Sequence, residues 1–220
     1  RGRVRDAGGG SGVPGVDQPD IDGGDWPGFH GPARDSICRE EGLLQEWPED
    51  GPSLLWKLEG LGRGYSTVSI ANGKIFTMGD RMIDGKEEEE SQCVIAYSLS
   101  TRDELWCTAF GPPHSDGGPR CTPTVDGDRA YAVGTDGDLV CLNAENGDTI
   151  WRKNFVEDYQ GKFMSVWKYS ESPLVDGDRL ICTPGGPGAT MVALNKHSGD
   201  VIWKCAIPNL GQKGADGAGY

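Results

Sequence analysis

The residues that could bind a metal or act as nucleophiles are scattered along this chain. Three histidines, His30, His114 and His197, lie far apart in predicted loops and lack the short spacing of a helical metal site. Each is therefore interpreted as a solvated turn residue. The seven cysteines include no CxxC motif and no adjacent pair. This scatter favours small buried side chains on strands over a zinc site or a disulfide framework.

Two further segments have residue types found in ligand sites but lack the spacing that such sites require. The acidic run Glu87–Glu90 could bind calcium, but it lacks alternating ligands and is interpreted as a solvated hairpin insertion. The segment Gly185–Gly188 does not lie between a strand and a helix, so it predicts a turn and not a phosphate loop. Residue spacing therefore assigns no catalytic, cofactor-binding or metal-binding residue.

Composition limits the fold and the partners. The 220 residues include 35 glycines and 14 prolines, and the apolar residues form short clusters, which is typical of many short strands joined by tight turns. A formal net charge of −13 disfavours nucleic acid as a partner. No stretch approaches the roughly 18 to 20 apolar residues of a membrane-spanning helix.

An internal repeat organises the chain. The segments Asp136–Trp151 (DGDLVCLNAENGDTIW) and Gly188–Trp203 (GATMVALNKHSGDVIW) align without a gap, and Cys93–Trp106 is a weaker copy. With Trp56, the tryptophans that end these copies are 45 to 52 residues apart. This period is close to that of β-propeller blades, which is roughly 40 to 50 residues.

Turn sequences subdivide each repeat into strands. The dipeptides Asp126-Gly127, Asp176-Gly177 and Asn72-Gly73 predict two-residue turns between antiparallel strands. Each period then yields four short strands, and a sheet of this size must stack on its neighbours to cover both faces. One large aromatic residue per copy is expected to dock each blade on the next, which assigns this role to Trp56, Trp106, Trp151 and Trp203.

At these residues the sequence resembles the pyrroloquinoline-quinone (PQQ) repeat, or quinoprotein-like, family of β-propellers, whose repeat reads approximately DGxLYALDAxTGKxxW. Asp136–Trp151 matches this pattern closely, and Asp25–Ser36 (DWPGFHGPARDS) resembles an opening found on secreted quinoprotein-like propellers of bacteria. The resemblance implies an all-β fold of four-stranded antiparallel blades. Three blades are expected at approximately residues 65–110, 120–155 and 171–207, after a strand near 54–58.

The expected propeller occupies residues 25–220 and follows a disordered, glycine-rich leader at residues 1–24. The dipeptide Gly219-Tyr220 repeats Gly64-Tyr65 and is interpreted as the start of a further blade. Members of the resembled family usually close rings of seven or eight blades. We therefore expect an incomplete ring: a truncated product, or a chain that self-associates to complete the ring.

The resemblance leaves two functions open. The family contains dehydrogenases that use PQQ with calcium, and noncatalytic scaffolds. In the enzymes the quinone lies against a disulfide of two adjacent cysteines, which this sequence lacks. The prediction is a noncatalytic module of a bacterial envelope protein, periplasmic or secreted, that binds a protein or a polymer, and no cofactor is assigned to it. The alternative is a fragment of a PQQ-dependent dehydrogenase of alcohols or sugars, which would bring PQQ and calcium.

A binding surface is expected where each blade begins, because the innermost strands of a propeller line its channel. The residues there are polar and aromatic, and five of them form the predicted rim of a partner or ligand site: Arg63, Tyr65, Arg120, Tyr169 and Glu171. The competing interpretation is that these are ordinary loop residues.

Overall fold

The computed structural model describes residues 3–5, 24–83 and 89–207. Within them, three separate four-stranded antiparallel sheets follow one another, and the spatial order of strands in each sheet matches their order in the chain. The predicted all-β fold, an incomplete ring of four-stranded propeller blades, is confirmed for these residues. No helix among them is long and apolar enough to cross a membrane.

The strands of the three blades are as follows. The first blade contains β3 (Ser69–Ala71), β4 (Lys74–Met82), β5 (Glu90–Ser98) and β6 (Glu104–Gly111). The second contains β7 (Thr124–Asp126), β8 (Arg129–Val133), β9 (Asp138–Asn143) and β10 (Thr149–Asn154). The third contains β11 (Leu174–Asp176), β12 (Arg179–Cys182), β13 (Met191–Asn195) and β14 (Val201–Cys205). One apolar core runs through all three.

Two short elements lie outside the blades. Strand β1 (Arg3–Arg5), within the predicted leader, pairs with β2 (Lys57–Glu59), which lies slightly later than the strand expected near residues 54–58. Helix α1 (Phe155–Tyr159) follows the second blade and begins at an Asn154 cap, an element that the all-β expectation did not include. Most of the leader, the predicted blade start at residues 219–220 and residues 84–88 lie outside the described residues.

The turns fall one residue later than predicted in two blades. Asp126 pairs with Arg129, so the loop of the second blade is Gly127-Asp128, and Gly127 has a positive φ of 59°. The third blade repeats this arrangement at Gly177, with φ of 58°. Glycine at the first loop position suits a tight hairpin turn, so the aspartates before it remain in the strands. Only the Asn72-Gly73 loop places both of its residues at positive φ, as predicted.

Tryptophans connect consecutive blades through equivalent contacts. Trp106 Nε1 donates a hydrogen bond to the Ala144 carbonyl at 3.3 Å, and Trp151 Nε1 donates to the Lys196 carbonyl at 3.1 Å. Their rings lie beneath Gly147 and Gly199, respectively, where a Cβ would come within 2.7 to 2.9 Å of the ring. These contacts support the docking role assigned to Trp106 and Trp151.

The first and last tryptophans of the set have different surroundings. The guanidinium carbon of Arg102 lies over Trp56, 5.3 Å from the ring centroid. Arg102 stands at the repeat position that glycine occupies in the later blades. Trp203 is about one-third exposed, because no further blade covers it among the described residues. Its docking role stays a prediction.

Candidate functional site

The segment Asp25–Ser36 crosses the first strand of every blade, and we call it the strap. Trp26 exchanges two backbone hydrogen bonds with Ile70 of β3, at 2.8 and 2.9 Å. The Pro27 carbonyl accepts from the Val125 amide of β7 at 2.7 Å. The Arg34 guanidinium donates to the Val175 carbonyl of β11. The strap therefore satisfies backbone groups on the inner edges of three blades, which would otherwise be unpaired.

A cleft of about 880 Å³ lies between the strap and the inner strands of the second and third blades. Phe29 and His30 line it from the strap, while Val125 and Leu174 line it from the inner strands. Its volume falls within the range of about 300 to 1,000 Å³ that is usual for ligand pockets. Three of the predicted rim residues, Tyr65, Arg120 and Glu171, also line this cleft.

At one end of the cleft, Arg120 lies between two aromatic rings. Its guanidinium carbon is 5.0 Å from the ring centroid of Tyr65 and 5.7 Å from that of Trp167. The guanidinium also donates to the carbonyls of Gly118 at 3.3 Å and Asp116 at 3.1 Å. Cation–π contacts and hydrogen bonds thus hold the cation in place. We call Tyr65, Arg120 and Trp167 the Arg120 platform.

Glu171 and Asp126 are acidic residues that line the cleft, and Glu171 is held by Thr183. Its carboxylate accepts hydrogen bonds from the Thr183 amide at 3.0 Å and from the Thr183 hydroxyl at 2.5 Å. Burial raises the pKa of Glu171 to about 7, although these hydrogen bonds oppose the increase. The side chain therefore titrates near neutral pH.

The other two predicted rim residues lie elsewhere. Tyr169 is fully buried, its hydroxyl donates to the Pro184 carbonyl at 2.8 Å, and its ring contacts Phe155 and Phe163. It is a core residue and cannot contact a partner, so its inclusion in the rim was wrong. Arg63 pairs with Glu90 at 2.6 Å and does not line the cleft.

One of the three histidines, His114, differs from the prediction that each is a solvated turn residue. His114 is buried, and its Nδ1 accepts from the Asp116 amide at 2.8 Å. Its Nε2 therefore carries the proton and donates to the Val166 carbonyl at 3.2 Å. The expectation of a solvated turn residue was wrong for His114, because its partner lies in a loop 52 residues later. His30 and His197 are exposed.

Two contributions to the site were missed from the sequence. Lys196 lines the cleft and pairs with Asp126 at 2.6 Å, although the repeat marks it only as a turn residue. The sequence of the strap is a recognisable motif, but it does not predict the contacts with Ile70 and Val125, since pairing between distant segments leaves no periodic signal.

The described residues do not provide the ligands that the resembled enzymes use for PQQ and calcium. All seven cysteines are described, no two are adjacent in the chain, and none forms a disulfide bond. No three His, Cys, Asp or Glu side chains among the described residues come together in a way that could hold a metal ion. The residues therefore do not fit this cofactor pair.

The model of a protein family described as outer membrane protein assembly factor BamB matches residues 90–212, more than half of the chain. The chain belongs to this PQQ-repeat, BamB-like family. The predicted recognition is thus confirmed.

Curated BamB proteins are similar to part of the chain. BamB of Alteromonas naphthalenivorans is 23% identical over 149 residues, which cover 64% of this chain and 35% of that protein. BamB of Shewanella oneidensis is 24% identical over 121 residues, which cover 54% of this chain and 31% of that protein. The chain thus spans about a third of the length of these relatives.

Solved structures with a similar fold include BamB from Moraxella catarrhalis, with 17% identity and a TM-score of 0.42 over 68% of this chain and 37% of that one. A second is quinohemoprotein alcohol dehydrogenase from Comamonas testosteroni, with 17% identity and a TM-score of 0.49 over 66% of this chain and 21% of that one.

Proposed function

We propose that this chain is a noncatalytic propeller module of the bacterial envelope, periplasmic or secreted, that binds another protein. The observation that carries the proposal is the Arg120 platform at the edge of the cleft. Its two rings are exposed, Tyr65 by 66% and Trp167 by 45%, although both are large and apolar enough to be buried. Exposed aromatic rings around a fixed arginine are typical of protein interfaces.

The composition of the platform supports a protein partner over a polymer or a small substrate. Trp, Tyr and Arg are the residues most enriched among those that dominate interface energies. The Tyr65 backbone is fixed by its amide, which donates to the Pro119 carbonyl at 2.8 Å. A surface held in place before binding loses little conformational entropy on association.

Family membership supports the compartment. The similar curated proteins are named as outer membrane protein assembly factors, which places their work at the cell envelope. We extend to this chain the envelope location and a scaffold role in protein assembly. Its blades would present the platform and the cleft without any chemical step.

A photo-crosslinking experiment tests the proposal. The full chain, carrying p-benzoylphenylalanine in place of Tyr65, is expressed in its native bacterium and irradiated, and crosslinked proteins are identified by mass spectrometry. We expect one or a few reproducible protein adducts that disappear in an Arg120→Ala background. The matched control carries the crosslinker in place of Leu44, which is 65% exposed and outside the site.

The dehydrogenase alternative has its own measurement. The purified chain is mixed with PQQ and calcium chloride, and quinone absorbance and dye reduction with alcohols or sugars are recorded. The proposed function predicts neither signal. Calcium-dependent dye reduction would overturn the noncatalytic assignment, whatever the crosslinking shows.

A further inference from the structure

A loop beside the Arg120 platform exposes a run of apolar side chains. The loop is Phe163–Trp167. Four of its five residues are large and apolar, and each of these four is at least 40% exposed. Val166 is the most exposed of them, at 74%. Apolar side chains grouped in this way on a surface mark interaction sites. Since Trp167 belongs to the platform, the loop and the platform form one continuous surface.

The loop is held in a fixed conformation. Besides the bond from His114 to the Val166 carbonyl, the Lys162 amide donates to the Pro184 carbonyl at 3.0 Å and the Tyr169 amide donates to the Thr135 carbonyl at 3.1 Å. These bonds connect the loop to all three blades. The loop backbone therefore cannot rearrange without breaking these hydrogen bonds.

The cation at the centre of this surface has donors left for a partner. Arg120 carries five N–H donors, and within the described residues it donates only to two backbone carbonyls. No carboxylate of the described residues forms an ion pair with it, although the chain contains 34 Asp and Glu residues. The exposed side of the guanidinium therefore lacks the anionic partner that it would bind most strongly.

We propose that this surface, formed by Tyr65, Arg120, Val166 and Trp167, binds a peptide segment of a partner protein in which a carboxylate side chain is flanked by apolar residues. The carboxylate pairs with the Arg120 guanidinium, and the apolar neighbours cover Val166 and the two rings. This assignment rests on the proposed scaffold function and specifies the chemistry of its partner.

The pairing of charge with apolar contact gives the surface selectivity. The whole chain carries a net charge of −13, so a uniformly acidic partner is repelled at long range. A peptide that combines a single carboxylate with apolar side chains gains the local ion pair and buries apolar area. Strongly acidic peptides and purely apolar peptides each lose one of these contributions.

Selection from a random peptide library tests the assignment. A phage-displayed library of dodecapeptides is panned against the purified full chain, and the enriched peptides are synthesised with a fluorescent label and titrated by anisotropy. We expect enrichment of Asp or Glu next to Leu, Ile or Phe. Replacing the acid of a selected peptide by its amide should raise Kd about tenfold or more.

Substitutions in the chain locate the binding. Arg120→Ala should raise Kd about tenfold or more, and Val166→Ser should raise it severalfold, because each removes one of the two contributions. Val166→Ser alters one exposed side chain, so it keeps the test valid if Arg120→Ala fails to fold. Arg39→Ala and Leu44→Ser, at exposed positions away from this surface, are the matched controls and should leave Kd unchanged.

Three outcomes would overturn the assignment: no enriched acidic–apolar motif, equal binding of the acid and amide peptides, or binding that Val166→Ser and Arg120→Ala leave unchanged. Reproducible crosslinks from position 65 that persist in Arg120→Ala would then retain the scaffold function with a partner whose binding does not depend on Arg120. Calcium-dependent dye reduction would instead remove the scaffold function itself.

Discussion

Three different side chains occupy one equivalent position in the three blades, just before the first strand. They are Ser66, Cys121 and Glu171, and each accepts a hydrogen bond from a backbone amide in or directly after the second strand of its own blade, at 3.0 to 3.3 Å. In all three blades this position therefore supplies an acceptor, although the side chain differs. Only Glu171 brings a charge, and that charge is disfavoured by burial.

The stability of the chain should therefore depend on the ionisation of Glu171. Its pKa is about 7 in the folded chain against an ordinary value of 4.5, so the folded state holds the proton more tightly. The resulting stabilisation is fully present below pH 4.5 and is lost as pH rises through 7. We expect the free energy of unfolding to fall by up to about 3 kcal/mol as Glu171 ionises.

Urea unfolding at pH 5 and pH 8 measures this effect. Glu171→Gln keeps an oxygen acceptor for Thr183 and removes the titration, so its stability should change less between the two pH values than that of the unchanged chain. Glu157→Gln, at an exposed position of α1, is the control and should follow the unchanged chain. An identical pH response of Glu171→Gln and the unchanged chain would contradict the assignment.

Three of the five predicted rim residues share one cleft, and their role in binding stays a prediction. Tyr65, Arg120 and Glu171 line the cleft because they precede the strands that face it. Tyr169 has the same sequence signature, but it is buried because aromatic residues of α1 and of the following loop pack on its ring. That loop and helix have no counterpart in the other repeats, so no comparison between copies could reveal the contact.

Each outer strand carries an irregularity one residue before its tryptophan. The shifted residues are Leu105, Ile150 and Ile202, and all three are exposed by 40 to 48%. A bulge bends its strand and redirects the side chains that follow. It therefore places Trp106 and Trp151 against the next blade.

If the tryptophans dock the blades, their contributions to stability should follow their burial. Trp106 is 9% exposed and Trp203 is 36% exposed, although they are equivalent in the repeat. Trp106→Ala should lower the free energy of unfolding by about 3 to 5 kcal/mol, because it leaves a cavity between two blades. Trp203→Ala, the matched control, should cost less than about 1 kcal/mol.

Chemical denaturation monitored by circular dichroism measures both variants. Equal losses of stability would mean that the conserved spacing of these residues does not reflect docking between blades. Trp151→Ala should fall between the two, since its ring is partly buried against the third blade.

Strands were predictable at the level of the element, while the strap was not. The period, the turn glycines and the tryptophans locate all four strands of each blade, with the loops of two blades displaced by one residue. By contrast, Trp26 pairs with Ile70 and Pro27 with Val125 through backbone atoms. Backbone pairing between distant segments places few demands on side-chain type, so the sequence does not mark it.

At the scale of the whole molecule, the face of the third blade that carries Trp203 is uncovered among the described residues. Trp203 is 36% exposed there, whereas its counterpart Trp106 is 9% exposed. In the first and second blades, the equivalent face contacts a following blade through Trp106 or Trp151. We propose that a second copy of the chain covers this face.

Light scattering over a range of concentrations tests this self-association. The apparent mass should rise above the 23.6 kDa of a single chain as concentration increases. Trp203→Ser should reduce the rise, and Leu44→Ser should not, because Leu44 lies outside the face. A mass of one chain at every concentration would contradict the proposal, as would an unchanged rise in Trp203→Ser.

The inner junctions of the blades are built from one recurring pair of positions. The Thr67 hydroxyl lies 2.8 Å from the Thr122 hydroxyl, and the Thr122 amide donates to the Ser172 hydroxyl at 3.0 Å. Equivalent positions of consecutive blades therefore meet at both junctions, and a side-chain hydroxyl takes part in each. In evolutionary terms, duplicating a gene segment of one period would insert a new unit whose contacts on both sides already exist, so ring size can change without inventing a new interface.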